Sequence, residues 1–145
     1  MNSKKHQSYK NHVRFDPLYH VVLFSVLVIN LVVVVVHLLH HVNLHSVWLL
    51  VLSLAAMLLF LKMRLYAMTV QDRVIRLEER LRLQALAPAE WHAQIYHLST
   101  DQLIGLRFAS DDEVVALAKE ALEKGLNRKQ IKERVKNWRA DWERV

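Results

Sequence analysis

At 145 residues the chain has room for one compact unit, or for a membrane hairpin with one small domain. Cysteine is absent, which excludes disulfides, thiolate metal sites and cysteine nucleophiles. Two glycines and two prolines argue against a loop-rich β architecture, and a net charge of +6 fits anionic lipid or nucleic acid as a partner.

The apolar residues are not spread periodically, as a soluble domain of this size would spread them. From Val21 to Val36 only Ser25 and Asn30 are polar, and from Val47 to Leu61 only Ser53 is. Residues 62–145, by contrast, interleave Lys, Arg, Asp and Glu. A chain with two such phases is built for two solvents.

In chain order, a basic segment (1–16) precedes a transmembrane hairpin (17–67), whose spans cover about 18–39 and 45–66. Leu18 to Leu39 contains no Lys, Arg, Asp or Glu. A helix rising about 1.5 Å per residue needs about 20 residues to cross a hydrocarbon core of ~30 Å. The run Val32 to Val36 would favour a strand in water, but an isolated strand in lipid leaves its backbone groups unsatisfied, so helix wins. A signal peptide is excluded by length, by the lack of a small-residue cleavage site and by the second span. Pro17 suits a helix start. The second span admits Asn43, His45 and Ser46 near one end, while Lys62 and Arg64 can snorkel at the other, with Tyr66 at the interface. No Gly or Pro interrupts Val47 to Ala87, so the helix is expected to run on unbroken.

Basic residues set the orientation. Lys4, Lys5, Lys10 and Arg14 precede the first span, and Lys62, Arg64, Arg73 and Arg76 follow the second. His40 to Ser46 has neither Lys nor Arg. Both termini are therefore expected in the cytoplasm and the turn outside.

Residues 68–87 continue as an amphipathic helix. Met63, Ala67, Val70, Val74, Leu77 and Leu81 are spaced 4-3-4-3-4, a heptad seam, with Arg73 and Glu78 at flanking positions that pair between chains in a parallel coiled coil. Asp72 with Arg76 and Glu78 with Arg82 are i,i+4 pairs within the helix. Traced into the bilayer, the seam meets Phe60, Ala56, Ser53 and Leu49, and small side chains at Ser53 and Ala56 would let helices approach closely. The candidate oligomerisation residues are thus Ser53, Ala56, Val70, Val74, Leu77 and Leu81. The alternative is that the stripe packs against the chain's own later helices.

Pro88 ends the long helix and opens a cytoplasmic helical domain, 88–145. Trp91, Ile95 and Leu98 share a face of one short helix, and Ser99 to Asp101 opens another carrying Leu103, Ile104 and Phe108. Ser110 with Glu113 predicts a capping box for a helix ending at Gly125. Asn127 with Gln130 predicts a second box, opening a helix on which Ile131, Val135, Trp138 and Trp142 share one face. The fold class is therefore an all-α membrane protein: a two-helix hairpin, a long second helix and a small bundle of short helices. Such a bundle is barely large enough for its own core.

The stretches Thr69 to Leu83 (TVQDRVIRLEERLRL), Leu106 to Asp111 (LRFASD) and Val135 to Asp141 (VKNWRAD) resemble a bacterial family of small two-span membrane proteins known only as a domain of unknown function. The resemblance covers nearly the whole chain. It implies a bacterial cytoplasmic membrane and the hairpin-plus-helices layout, and it supplies no catalytic or binding residues.

Three groups invite chemistry. His37, His40, His41 and His45 cluster at the outer turn, and His37 with His41 has the i,i+4 spacing of two metal ligands, although no carboxylate lies nearby as a third. Histidines also end membrane helices cheaply, and that is the preferred reading. Asn30 lies mid-span, where an amide ordinarily hydrogen-bonds to a neighbouring helix or, alternatively, lines a pore. Arg128, Lys129, Lys132, Lys136 and Arg139 make the last helix basic, but Trp138 and Trp142 fall on the apolar side instead of interleaving with the bases, which argues against nucleic acid. No phosphate loop, zincin motif or nucleophile–base set is present, so neither an enzyme nor a cofactor is expected. The expected partners are the lipid bilayer, further copies of the chain and a membrane or cytoplasmic protein. A self-associating scaffold or accessory subunit is the preferred function, ahead of a small homo-oligomeric channel and of a membrane-tethered nucleic-acid binder.

Overall fold

The computed structural model describes residues 16–140. The expectations for Lys4, Lys5, Lys10, Arg14 and Trp142 fall outside the described residues. The chain divides into two compact units, with the division after Ala67.

In the first unit, α1 (Leu18–His40) opens with wide π-helical turns over Leu18–Leu23 and continues as regular α-helix over Phe24–His40. The Asp16 carboxylate accepts from the backbone N–H groups of Leu18 at 3.0 Å and Tyr19 at 3.4 Å, which satisfies donors that a helix start leaves without partners. A short turn leads into α2 (Leu44–Leu86). The polar residues that weaken the second span in sequence begin this helix: Asn43 Oδ1 accepts from the Ser46 backbone N–H at 2.9 Å and from its hydroxyl at 3.1 Å. As expected, α2 is unbroken. Its 43 residues would measure about 65 Å at the usual rise.

Polar and aromatic contacts close the hairpin. Asn30 Nδ2 donates to Ser53 Oγ at 2.9 Å. Nearer the hairpin's open end, the Tyr19 hydroxyl donates to the Phe60 carbonyl at 2.6 Å while its ring stacks on the Phe60 ring, with centroids 4.2 Å apart. Arg64 lies over the other partner's ring, 5.8 Å from the Tyr19 centroid. Most apolar side chains of the pair remain on the surface; along α1 only Val34 is buried. Both helices are long and apolar enough to cross a membrane. The core helix of a soluble protein would have covered these side chains.

The second unit contains the rest of α2 and four short helical segments. A 3-10 turn (Ala89–Trp91) after Pro88 leads into α3 (His92–Ile95), followed by α4 (Thr100–Leu106), α5 (Asp111–Glu123) and α6 (Arg128–Arg134). Its core gathers Leu83, Ile95, Leu98, Leu103, Leu106, Val114, Ala118 and Ile131. Each fully buried Leu or Ile contributes about 1.5–3 kcal/mol.

Helix starts and stops follow recognisable chemistry. Capping boxes form at Ser99 with Gln102 and at Asn127 with Gln130. Gly125, at φ +59°, ends α5, and the Leu126 N–H reaches back to the Ala121 carbonyl at 3.0 Å, the long hydrogen bond of a Schellman motif. Two expectations are corrected. Ser110 makes no side-chain cap, because the Glu113 carboxylate accepts instead from the backbone N–H groups of Lys136 (3.2 Å) and Asn137 (3.0 Å). The last helix stops at Arg134, so Val135 and Trp138 are not on it. The chain turns extended there and pairs Trp138 with Ala109 in an antiparallel bridge, with Ser110 N–H donating to the Asn137 carbonyl and Arg139 N–H to that of Phe108. Trp138 is still an apolar contact, packed on the Phe108 ring at 4.8 Å.

Candidate functional site: an uncovered stripe on the long helix

Within the second unit, α2 presents two different faces. Ile75, Glu79, Leu83 and Ala87, four residues apart, are buried, and Leu83 and Ala87 belong to the bundle's core. Val70, Val74, Leu77 and Leu81 lie on the other side and stay 46–65% exposed. The stripe therefore does not pack against the chain's own later helices. Four branched side chains in 4-3-4 spacing form a ridge that another helix can fill. Arg73 and Glu78 flank it, both exposed and neither in an ion pair among the described residues.

The membrane-side part of the predicted seam fares differently. Ser53 is 7% exposed and accepts the Asn30 amide, while Phe60 is taken up by Tyr19. Both residues belong to the hairpin's own closure, and Ala56 is half-buried.

The Asn30 amide donates to Ser53 inside the same chain, the ordinary fate of a mid-span amide. The His37 and His41 rings sit 5.1 Å apart at centroids, both exposed, with His37 on the last turn of α1 and His41 just past its end. Among the described residues no group of three or more His, Cys, Asp or Glu side chains comes together.

Sequence reasoning missed a polar cluster beneath the stripe. Arg82 bonds Glu79 (3.0 Å), not Glu78 as the i,i+4 spacing predicts. Its other donors reach Asp111 (Nε to Oδ1, 2.7 Å) and the Ala109 carbonyl (2.7 Å). Arg139 approaches the other Glu79 oxygen at 3.7 Å. Glu79 is only 4% exposed, and burial pushes its carboxyl above the usual range against the pull of Arg82 and Arg139. The only sequence signal for it is the fourfold spacing from Ile75 to Leu83, which puts a carboxylate where an apolar residue belongs. The basic run near the C-terminus is likewise engaged. Arg128 bonds Asp101 at 2.7 Å, Arg134 lies 3.3 Å from Glu120 and Lys129 lies 3.9 Å from Glu133.

A family model described as a family of unknown function, DUF6526, matches residues 1–145. The chain belongs to this family. No curated protein and no solved structure shows significant similarity to it. Membership of DUF6526 brings no chemistry with it, so the reading of this member rests on its own surface.

Proposed function

We propose that this DUF6526 member is a self-associating integral membrane scaffold or accessory subunit of the bacterial cytoplasmic membrane. In this reading its hairpin spans the bilayer, and its α2 stripe joins copies on the cytoplasmic side. The observation that carries the proposal is the exposure of Val70, Val74, Leu77 and Leu81 beyond the apolar span, on a helix whose other face is already packed. In lipid an exposed valine or leucine costs nothing, but past the membrane it awaits a partner. The Arg73–Glu78 pair supplies complementary charge across a parallel interface between two copies. The engaged Asn30 amide speaks against a pore, and the ion pairs of α6 speak against nucleic acid.

The test is the mass of the detergent-solubilised particle. Wild type should run as a dimer or higher oligomer, and Leu77→Asp should lower the mass while membrane insertion and helix content persist. A monomeric wild type, or an unchanged oligomer in Leu77→Asp, would sink the proposal.

A further inference from the structure

Four histidines surround the turn between α1 and α2, and the structure singles out two of them. The His37 ring meets that of His41, with centroids 5.1 Å apart and planes inclined by 44°. A backbone hydrogen bond joins the same two residues, from the His41 N–H to the His37 carbonyl at 2.9 Å, and fixes their separation. His40, about 100° around the helix from His41, has no ring contact with either among the described residues. Elsewhere a backbone carbonyl holds a histidine nitrogen: His20 Nδ1 lies 2.9 Å from the Asp16 carbonyl, and His92 Nε2 lies 3.1 Å from that of Ala87. Among the described residues the His37 and His41 rings have no such partner. Ending a membrane helix calls for polar side chains, but it does not call for two rings in contact with their nitrogens unengaged.

We propose that His37 and His41 together chelate one late first-row divalent metal ion, through one nitrogen of each ring, with water in the remaining positions. The spacing is the one by which two helical histidines share a zinc ion in other proteins. Metal–nitrogen bonds of about 2.0–2.1 Å place two nitrogens on one ion roughly 3 Å apart. Rings with centroids 5.1 Å apart reach that spacing by turning about Cβ–Cγ, a torsion with a broad energy well. Charge favours a cation here as well. The rings stand at the C-terminal end of α1, where the helix dipole is negative, and no Lys or Arg occurs from His37 to Ser46. The donors rank the metals: imidazole suits copper, zinc and nickel, Cu2+ binds ahead of Zn2+ and Ni2+, and Mg2+ and Ca2+ take oxygen ligands instead. His41 is where the chain leaves the helix, at φ −137° and ψ 83°, so a bound ion would tie that residue to the last turn. The site lies within the hairpin unit and does not depend on association between copies.

The full chain in detergent, loaded with one equivalent of Cu2+, provides the test. Its electron paramagnetic resonance spectrum should show two imidazole nitrogens bound to the ion. Zn2+ titration by calorimetry should show one site, weakened about tenfold or more in His37→Gln and in His41→Gln, since even outer-shell partners are worth that much to a metal site. The double variant should be little worse than either single one, because each alone breaks the chelate. His40→Gln and His45→Gln should stay within about twofold of wild type and report the other histidines of the turn. All four positions are exposed, so helix content should be unchanged in every variant. A spectrum with a single nitrogen, no zinc binding, or an equal loss in all four variants overturns the proposal. A rise in particle mass that requires the metal and both histidines also overturns it, because the ion would then bridge copies instead of closing within one.

Discussion

Asn30 and Glu79 show how one polar side chain in an apolar setting takes its behaviour from its partner. An amide in hydrocarbon is costly unless satisfied, and the Ser53 hydroxyl at 2.9 Å satisfies it within the hairpin. Such interhelical bonds are worth about 0.6 kcal/mol on average, because the separated helices also find partners. Asn30→Leu should therefore lower thermal stability slightly and leave oligomer mass unchanged. Planar-bilayer recordings of the unmodified protein should show no conductance, and discrete openings that vanish in Asn30→Leu would favour the channel. Glu79 is opposite in kind. Its folded carboxyl is raised by burial, so the folded state binds its proton more readily than the unfolded chain does. Stability contributed by this group therefore increases as pH falls from neutral through the folded value, and levels off near the ordinary value of 4.5. Glu120, held low by Lys124, works the other way, losing its contribution as pH drops through its folded value. In melts between pH 7.5 and 5, Glu79→Gln should abolish the acid-side gain of the cluster. An unaltered pH profile in that variant would remove the assignment.

Among the elements, the sequence was most legible where one local rule decided the outcome. The absence of Gly and Pro from Val47 to Ala87 fixes α2 as one helix, and Asn127 with Gln130 marks the start of α6 without any tertiary information. The signals failed where distant chain competed for the same group. Glu113 has the spacing of a capping-box acid, yet backbone N–H groups some twenty residues further on take its carboxylate. The apolar spacing Ile131, Val135, Trp138 suits a helix, but Trp138 gains its contact with Phe108 from an extended segment instead. A close approach between elements was also invisible in sequence. A Cβ added at Gly105 of α4 would meet Ile131 Cβ and Cγ2 of α6 at 3.1 Å and the Arg128 carbonyl at 3.3 Å. Gly105→Ala should thus force α4 and α6 apart, with a cost of about 1–3 kcal/mol that outweighs alanine's better helix propensity. Urea or thermal unfolding measures it, and a stabilised variant would show that Ile131 yields more easily than its burial implies.

For the whole molecule, the decisive question is which side of the membrane each unit occupies. Lys and Arg flank the open ends of the hairpin and are missing from the turn, and this asymmetry is the physical basis for proposing an outward turn. Asn43 is a poor place to probe it, since its side chain holds the first turn of α2 through Ser46. Val42 is better: it lies between the two helices, is 82% exposed and makes no contact the hairpin needs. In a chain without cysteine, Val42→Cys should react with a membrane-impermeant maleimide added outside intact spheroplasts. Asp112→Cys, exposed on the first turn of α5, should react only after permeabilisation. The reverse pattern would invert the topology and put the α2 stripe in the periplasm, where a cytoplasmic partner could not reach it. Labelling of both sites from outside would mean that the chain does not cross the bilayer as a hairpin. The exposed leucines and valines of α1 and α2 would then need a protein, not lipid, to cover them.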